Sequence, residues 1–253
     1  MNLGRAIRVG RAAVALAAVA LALIAAPAPV LAGNTNFLNG GGPPVDTIDM
    51  LFWVFVVCSS VILIGVGGAI LYAAIRFRRR DPDEMPRQIH GHNRLELAWT
   101  LGPLLLLAVL FVLNVVNVGY LRHGPSPASP AARQAIHIKV IGRQFYWTFD
   151  YPGGKSSLHT LVIPVNTPIE LSTESLDVIH GFWVPNLGAK IDALPGIVNH
   201  AFIEANRQGT YGGQCYEFCG LGHDQMLITV KVVSMAQYRT YLQHLPASSA
   251  LGV

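Results

Sequence analysis

A chain of 253 residues that is 52% hydrophobic and only 13% charged is too apolar for an ordinary soluble protein. Its length allows a membrane hairpin plus one domain on the order of 100 residues. The formal charge of +4 comes largely from arginines beside apolar segments, so it reports membrane topology, and no basic patch interleaved with aromatics, Gly-rich phosphate loop or internal repeat points to nucleic acid.

The N-terminus carries Arg5, Arg8 and Arg11, then the apolar run Ala12 to Ala26, then Pro27-Ala-Pro29-Val-Leu-Ala32. A basic region, a short apolar core, helix breakers and small residues describe a secretory signal peptide over residues 1–32, cleaved after Ala32. An uncleaved anchor is the alternative, but the run is short for a span of ~20 residues and prolines end it. Residues 33–47 are then an exported N-terminal segment.

A two-helix transmembrane hairpin is expected over 48–120. Met50 to Ile75 is long and apolar enough to cross a bilayer, and Leu95 to Val118 is a second such run, loosened near Pro103. Between them, Arg76 to Arg94 is short and arginine-rich, hence cytoplasmic, which leaves everything after Tyr120 outside. Trp53, Trp99 and Tyr120 sit where interfacial aromatics are expected. Cys58 is read as a small apolar packing residue of the first span. Glu96, a carboxylate at the cytoplasmic end of an apolar helix, is either a group snorkelling to the interface or part of an ion path. His90 and His92 are read as solvated loop residues.

Residues 121–133 contain Gly124-Pro-Ser-Pro-Ala-Ser-Pro130, a linker with no means of packing a core. Over 134–236 come short strand-like runs: Ile136–Ile141, Gln144–Tyr151, Leu161–Val165, Ile169–Thr173, His200–Ala205 and Leu227–Val233. Pro, Gly and Asn turns break them, the pattern of an all-β sandwich or barrel. Residues 237–253 read as a short terminal helix and a frayed tail.

The chemistry concentrates in Gly213-Gln-Cys215-Tyr-Glu217-Phe-Cys219-Gly-Leu-Gly-His223-Asp-Gln-Met226. Two thiolates, an imidazole and a thioether within twelve residues form a soft ligand set suited to copper. A single-copper electron-transfer loop needs one Cys, so the second suggests two coppers bridged by two thiolates. Each copper then needs a terminal imidazole, and the loop supplies only His223. His180, following the apolar Val178-Ile179 at the end of a strand-like run, is the candidate for the other. Met226 and the backbone carbonyl of Glu217 can serve as weak further ligands. In an exported domain two cysteines are by default a disulfide, and Cys-x3-Cys is also a fragment of some zinc sites. A Greek-key cupredoxin-like sandwich is the natural home for such a loop-borne copper site.

His180-Gly-Phe-Trp-Val-Pro, Lys190-Ile-Asp192-Ala-Leu-Pro195-Gly196 and the Cys215–Met226 loop together resemble subunit II of the haem-copper cytochrome c oxidases, over most of the chain from Asp46 to Val233. The resemblance implies a binuclear copper centre, CuA, held by His180, Cys215, Glu217 (through its carbonyl), Cys219, His223 and Met226. It implies a magnesium ion on the Glu217 side chain at the seam with subunit I, and an onward electron path through His223. His92-Asn-Arg-Leu95-Glu96-Leu-Ala-Trp99-Thr100 resembles the family's second-helix signature, which places Glu96 at the mouth of a proton channel. The aromatic stretch Phe145, Tyr146, Trp147 resembles the family's electron-receiving surface. Three departures stand out: Phe145 where Trp is usual, Arg143 where His is usual, and Ile197 where Arg is frequent.

The function implied is that of a CuA-bearing subunit of a respiratory terminal oxidase. It takes electrons from a cytochrome c and passes them to haem and copper in subunit I, where oxygen becomes water with proton translocation. Subunit I and subunit III are the implied partners, and the bacterial inner membrane, with the copper domain on the periplasmic side, is the implied location. No catalytic residue is expected on this chain. It contains no Cys-x-x-Cys-His, so no fused cytochrome c domain is expected. The alternatives are a CuA-type nitric oxide reductase subunit and a membrane-tethered copper-binding or assembly protein.

Overall fold

The computed structural model describes residues 40–79, 81, 85, 88, 90–124 and 134–248. The signal-peptide expectation for 1–32 and the Pro/Ser stretch 125–133 lie outside those residues. Two long helices come first: α1, Pro43–Arg76, and α2, Asn93–His123. At 1.5 Å per residue they span about 50 and 45 Å, more than the ~30 Å hydrocarbon core of a bilayer. Their apolar side chains (Leu63, Ile64, Phe111 and Val116 among them) stay exposed, as a lipid-facing surface requires.

Both helices outrun the sequence boundaries. Helix α1 begins seven residues before Met50, because Pro43 and Pro44 occupy its first turn, where a missing amide costs nothing. Its start is held by protein: Val45 is fully buried, Gly41 N donates to Asn186 O at 2.7 Å, and Asn206 N donates to Gly41 O at 2.6 Å. Helix α2 runs through Pro103 and ends at His123, capped by Gly124 at φ 71°. Residues 121–123, expected as the start of the linker, are therefore helical. The Tyr120 ring packs on Phe202 at 6.0 Å, so it is a sandwich contact in addition to an interfacial aromatic. At the N-terminal end of α2, His92 is more than a solvated residue. Its Nδ1 accepts from Leu95 N at 3.2 Å while its own backbone N donates to Glu96 Oε1 at 3.0 Å, a reciprocal cap on the first turn of α2.

The described residues after α2 include ten strands: β1 Ile136–Arg143, β2 Tyr146–Tyr151, β3 Lys155–Leu158, β4 Thr160–Pro164, β5 Ile169–Ser175, β6 His180–Val184, β7 Ala189–Ala193, β8 Asn199–Ile203, β9 Gly209–Cys215 and β10 Leu227–Val233. One sheet has the order β3-β2-β1-β5-β8 and the other β4-β10-β9-β6-β7. Most neighbours are antiparallel, but β1 with β5 and β10 with β4 run parallel. Between the sheets, Trp147 and Phe149 of β2 meet Phe182 of β6 edge-to-face at 5.4 and 6.1 Å. Each such ring buries roughly 150–250 Å², stabilising by about 4–6 kcal/mol before the entropy of ordering.

Sequence periodicity found six of the ten strands and missed β3, β6, β7 and β9. These are short or glycine-broken, as in Gly209-Thr-Tyr-Gly-Gly-Gln-Cys215, and lack the alternating apolar pattern. A third helix, α3, Met235–His244, starts on a Ser234–Gln237 capping box, two residues before the boundary expected. The tail after it is not frayed as far as 248. Ala247 pairs with Lys155, and Ser248 N donates to Gly154 O at 2.9 Å, covering the edge of β3.

Candidate metal centre

The β9–β10 hairpin carries the ligand loop between its strands. Cys215 ends β9 and Met226 immediately precedes β10, and Cys215 N donates to Met226 O at 3.0 Å, closing the loop on itself. Strand β6 lies on the other side of β9, with Phe182 paired to Cys215. That register brings His180, the first residue of β6, against the loop. The sequence reading had His180 at the end of a strand. It opens one instead, because Val178 and Ile179 are surface residues of a turn built on the Asp177 carboxylate, which accepts from Val178 N at 2.6 Å.

Donor atoms of His180, Cys215 and Cys219 lie within 4.8 Å of one another. Cys215 Sγ is 3.9 Å from Cys219 Sγ and 3.3 Å from the Glu217 carbonyl oxygen. Cys219 Sγ is 3.6 Å from His223 Nδ1 and 3.8 Å from Met226 Sδ. His180, Cys215, Cys219 and Met226 are all less than 5% exposed. His223 is half-buried at the lip, under the exposed ring of Phe218 at 5.7 Å. The loop and the start of β6 thus bring His180, Cys215, Cys219 and Met226 together in the interior, with His223 at the lip.

Neither bland alternative fits this geometry. A disulfide needs sulfurs ~2.05 Å apart; these are almost twice that, and both thiols are free. Yet 3.9 Å is less than two metal–thiolate bonds of about 2.3 Å laid end to end, so one cation can touch both. A structural zinc would need four of these donors and leave the thioether idle, whereas sulfur-rich sets with Met select copper.

His180 provides the sharpest test of fit. Its Nε2 is bonded to Asp177 Oδ1 at 2.7 Å, while Nδ1 is buried with no hydrogen-bond partner. An orphaned buried nitrogen costs about 1–3 kcal/mol unless something accepts its lone pair, and a metal ion in the thiol pocket would do so. The thiols give the same message. Burial would raise the Cys215 pKa, but His180, Gly181 N, the Glu217 backbone and His223 pull it down to about 7. Cys219 is pushed up, by burial and then by the Cys215 charge beside it. Two adjacent thiolates repel each other, and a cation between them removes that penalty.

Groups outside the ligand set hold it in place, and the sequence reading missed them. Asp177 accepts from Gln144 N at 2.6 Å, from Val178 N and from the His180 ring. Burial works against its charge, yet these bonds keep the carboxyl below its usual range. Gln144 also donates from Nε2 to Cys219 O at 2.6 Å, so one side chain touches the β1–β2 turn and the ligand loop. Gly142 faces the imidazole: a Cβ there would come within 2.9 Å of His180 Cδ2. The available signal was an Asp three residues before a ligand His, the usual carboxylate orienting a metal-bound imidazole.

The expected electron-receiving stretch splits in two. Phe145 is half-buried, its ring against Gly220 and Gly222 of the ligand loop. Tyr146 is half-buried and accepts from Arg143 at 3.1 Å. Trp147 is fully buried, edge-on to His180 at 5.9 Å, and so belongs to the core and not to any surface. Its inward direction follows from strand alternation with Phe149 and Tyr151. Glu217 is half-buried beside the pocket, and Glu96 lies in the first turn of α2, at the end opposite the sandwich contact of Tyr120.

Comparison with known proteins gives the family. Residues 155–233 match the family described as the periplasmic domain of cytochrome c oxidase subunit II, and residues 31–115 match the transmembrane domain of the same subunit. Cytochrome c oxidase subunit 2 of Alkalihalophilus pseudofirmus is 32% identical over 85% of this chain, which spans 63% of that protein's length. The subunit 2 of Pneumocystis carinii is 30% identical, covering 82% of this chain and 93% of its own. Among solved structures, the periplasmic domain of subunit II from Bradyrhizobium japonicum is 32% identical, covering 43% of this chain and 91% of its own, with a TM-score of 0.42.

Proposed function

The chain belongs to the cytochrome c oxidase subunit II family, and we propose that it is the electron-accepting subunit of a respiratory terminal oxidase in a bacterial inner membrane. It takes electrons singly from a cytochrome c and hands them to the haem and copper of subunit I, where oxygen is reduced to water with proton translocation. The observation that carries this reading is the buried cluster of two thiols, two imidazoles and a thioether, with His180 Nδ1 bare and pointing to no protein partner.

His180, Cys215, Cys219, His223, Met226 and the Glu217 carbonyl would hold the two coppers of a CuA centre, which supplies reversible one-electron storage. The residues themselves do the rest. These donors all come from the protein, and rigid strands on either side would hold them in one arrangement. Asp177 and Trp147 fix the His180 ring from its two remaining sides. Phe145 supports the receiving side, and the half-buried His223 offers an outward path toward subunit I. The Glu217 carboxylate, a hard oxygen donor, suits magnesium at that seam. At the opposite end of α2, Glu96 presents a carboxylate at the membrane boundary, where protons enter an intramembrane path. Subunit III is a further expected neighbour.

The test is electron paramagnetic resonance with copper analysis on the purified membrane complex. Two coppers per chain sharing one unpaired electron give a seven-line hyperfine pattern. A single silent cuprous ion would instead make this a copper-delivery protein and sink the proposal. The catalytic subunit that co-purifies separates oxygen from nitric oxide as the terminal acceptor.

A further inference from the structure

Tyr216 stands between two metal-site residues, Cys215 and Glu217, yet its side chain turns away from them. Its backbone N donates to Gly181 O at 3.1 Å, and its ring lies flat against Gly181, where a Cβ would come within 2.5 Å. The phenol then reaches across β6 and donates to the Asp192 carboxylate on β7. Lys190 Nζ sits 4.7 Å from the ring centroid, a cation–π contact on the same side. Asp192 is itself fixed from the other sheet: its carbonyl accepts from Thr173 Oγ1 of β5 at 3.0 Å and from Asn199 Nδ2 of β8 at 2.9 Å. One continuous line of contacts thus joins the opposite sheet to the ligand loop at the bond between Cys215 and Glu217. The Gly181 amide, directly under the ring, points at Cys215 Sγ from 3.5 Å.

We propose that Tyr216 is a positioning residue: by bonding Asp192 it fixes the Cys215–Glu217 segment, and with it the sulfur and carbonyl donors of the metal centre. The inference rests on the two-copper reading above. A ring that only filled space would tolerate loss of its hydroxyl; a clasp would not. Removing the hydroxyl frees the segment to shift relative to His180, which changes how the electron is shared between the metals without removing a ligand.

The experiment uses the whole membrane complex carrying Tyr216→Phe, Asp192→Asn or both, with Tyr211→Phe as control, since the Tyr211 hydroxyl donates to Arg207 O, at the other end of β9 from Cys215. Copper content, hyperfine spacing and midpoint potential are measured for each. The expected result is two coppers per chain throughout, with a common shift in spacing and potential for both single variants. The double variant moves no further, and Tyr211→Phe stays at the parent values. Tyr216→Phe with parent spacing and potential, or single effects that simply add, would overturn the proposal. A parent complex without the seven-line pattern would sink the two-copper reading itself, and the two failures are thereby distinguishable.

Discussion

His180 gives one ring nitrogen to Asp177 and keeps the other bare, so the carboxylate decides which nitrogen faces the thiols. Asp177→Asn keeps the size but loses the charge and can present an amide N–H to the ring. It should weaken copper binding about 10- to 100-fold, measured by competition with a chelator, with folding unchanged. An unaltered affinity would mean the ring is oriented by packing alone. Gly142→Ala tests packing directly, because its Cβ would press on the imidazole. Overpacking of this kind costs about 1–3 kcal/mol, and here it should appear as lowered copper occupancy together with a lower melting temperature. The ligands of the loop were legible in the sequence because they are local, four, four and three residues apart. Asp177 and Gln144 were not singled out, since their roles depend on the β1–β2 turn meeting residues more than thirty positions away.

At the level of elements, the strands that periodicity found are those with one face in the core, such as β5, whose residues alternate buried and half-buried from Ile169 to Ser175. Those it missed are held by their neighbours. Strand β9 has four residues of seven that are Gly or Thr, and it persists because β10 and β6 bond it on both sides. Strand β3 is short and polar, and one edge would be open but for the tail: Ser156 N donates to Pro246 O at 3.2 Å, and Ser156 Oγ bonds Ser248 Oγ at 2.7 Å. A chain ending at Leu245 should lose about 1–3 kcal/mol of stability, since each partly exposed hydrogen bond contributes ~0.5–1.5 kcal/mol. Thermal melting would register the loss while the metal spectrum stays as in the parent. A changed spectrum would imply that the strap reaches the ligand loop.

For the molecule as a whole, the arginines after α1 and the outward position of the sandwich make a prediction about sidedness. In spheroplasts a membrane-impermeant maleimide should label Leu158→Cys, on the exposed edge of the sandwich, and leave Met85→Cys unlabelled until the membrane is opened. The reverse order would invert the topology. The same view explains why the hairpin was easy to read and its ends were not: hydrophobicity marks what lipid covers, whereas Pro43 to Val45 and Tyr120 are covered by protein. That seating at Asn186, Asn206 and Phe202 ties both helices to the sandwich at two separate points. A carrier domain on a slack tether would have to swing between donor and acceptor, and thickening the medium would slow it. Here the metal pocket is bolted to its membrane stalk, so on the function proposed above onward electron transfer should be indifferent to viscosity, and only the arrival of a soluble donor should feel the drag.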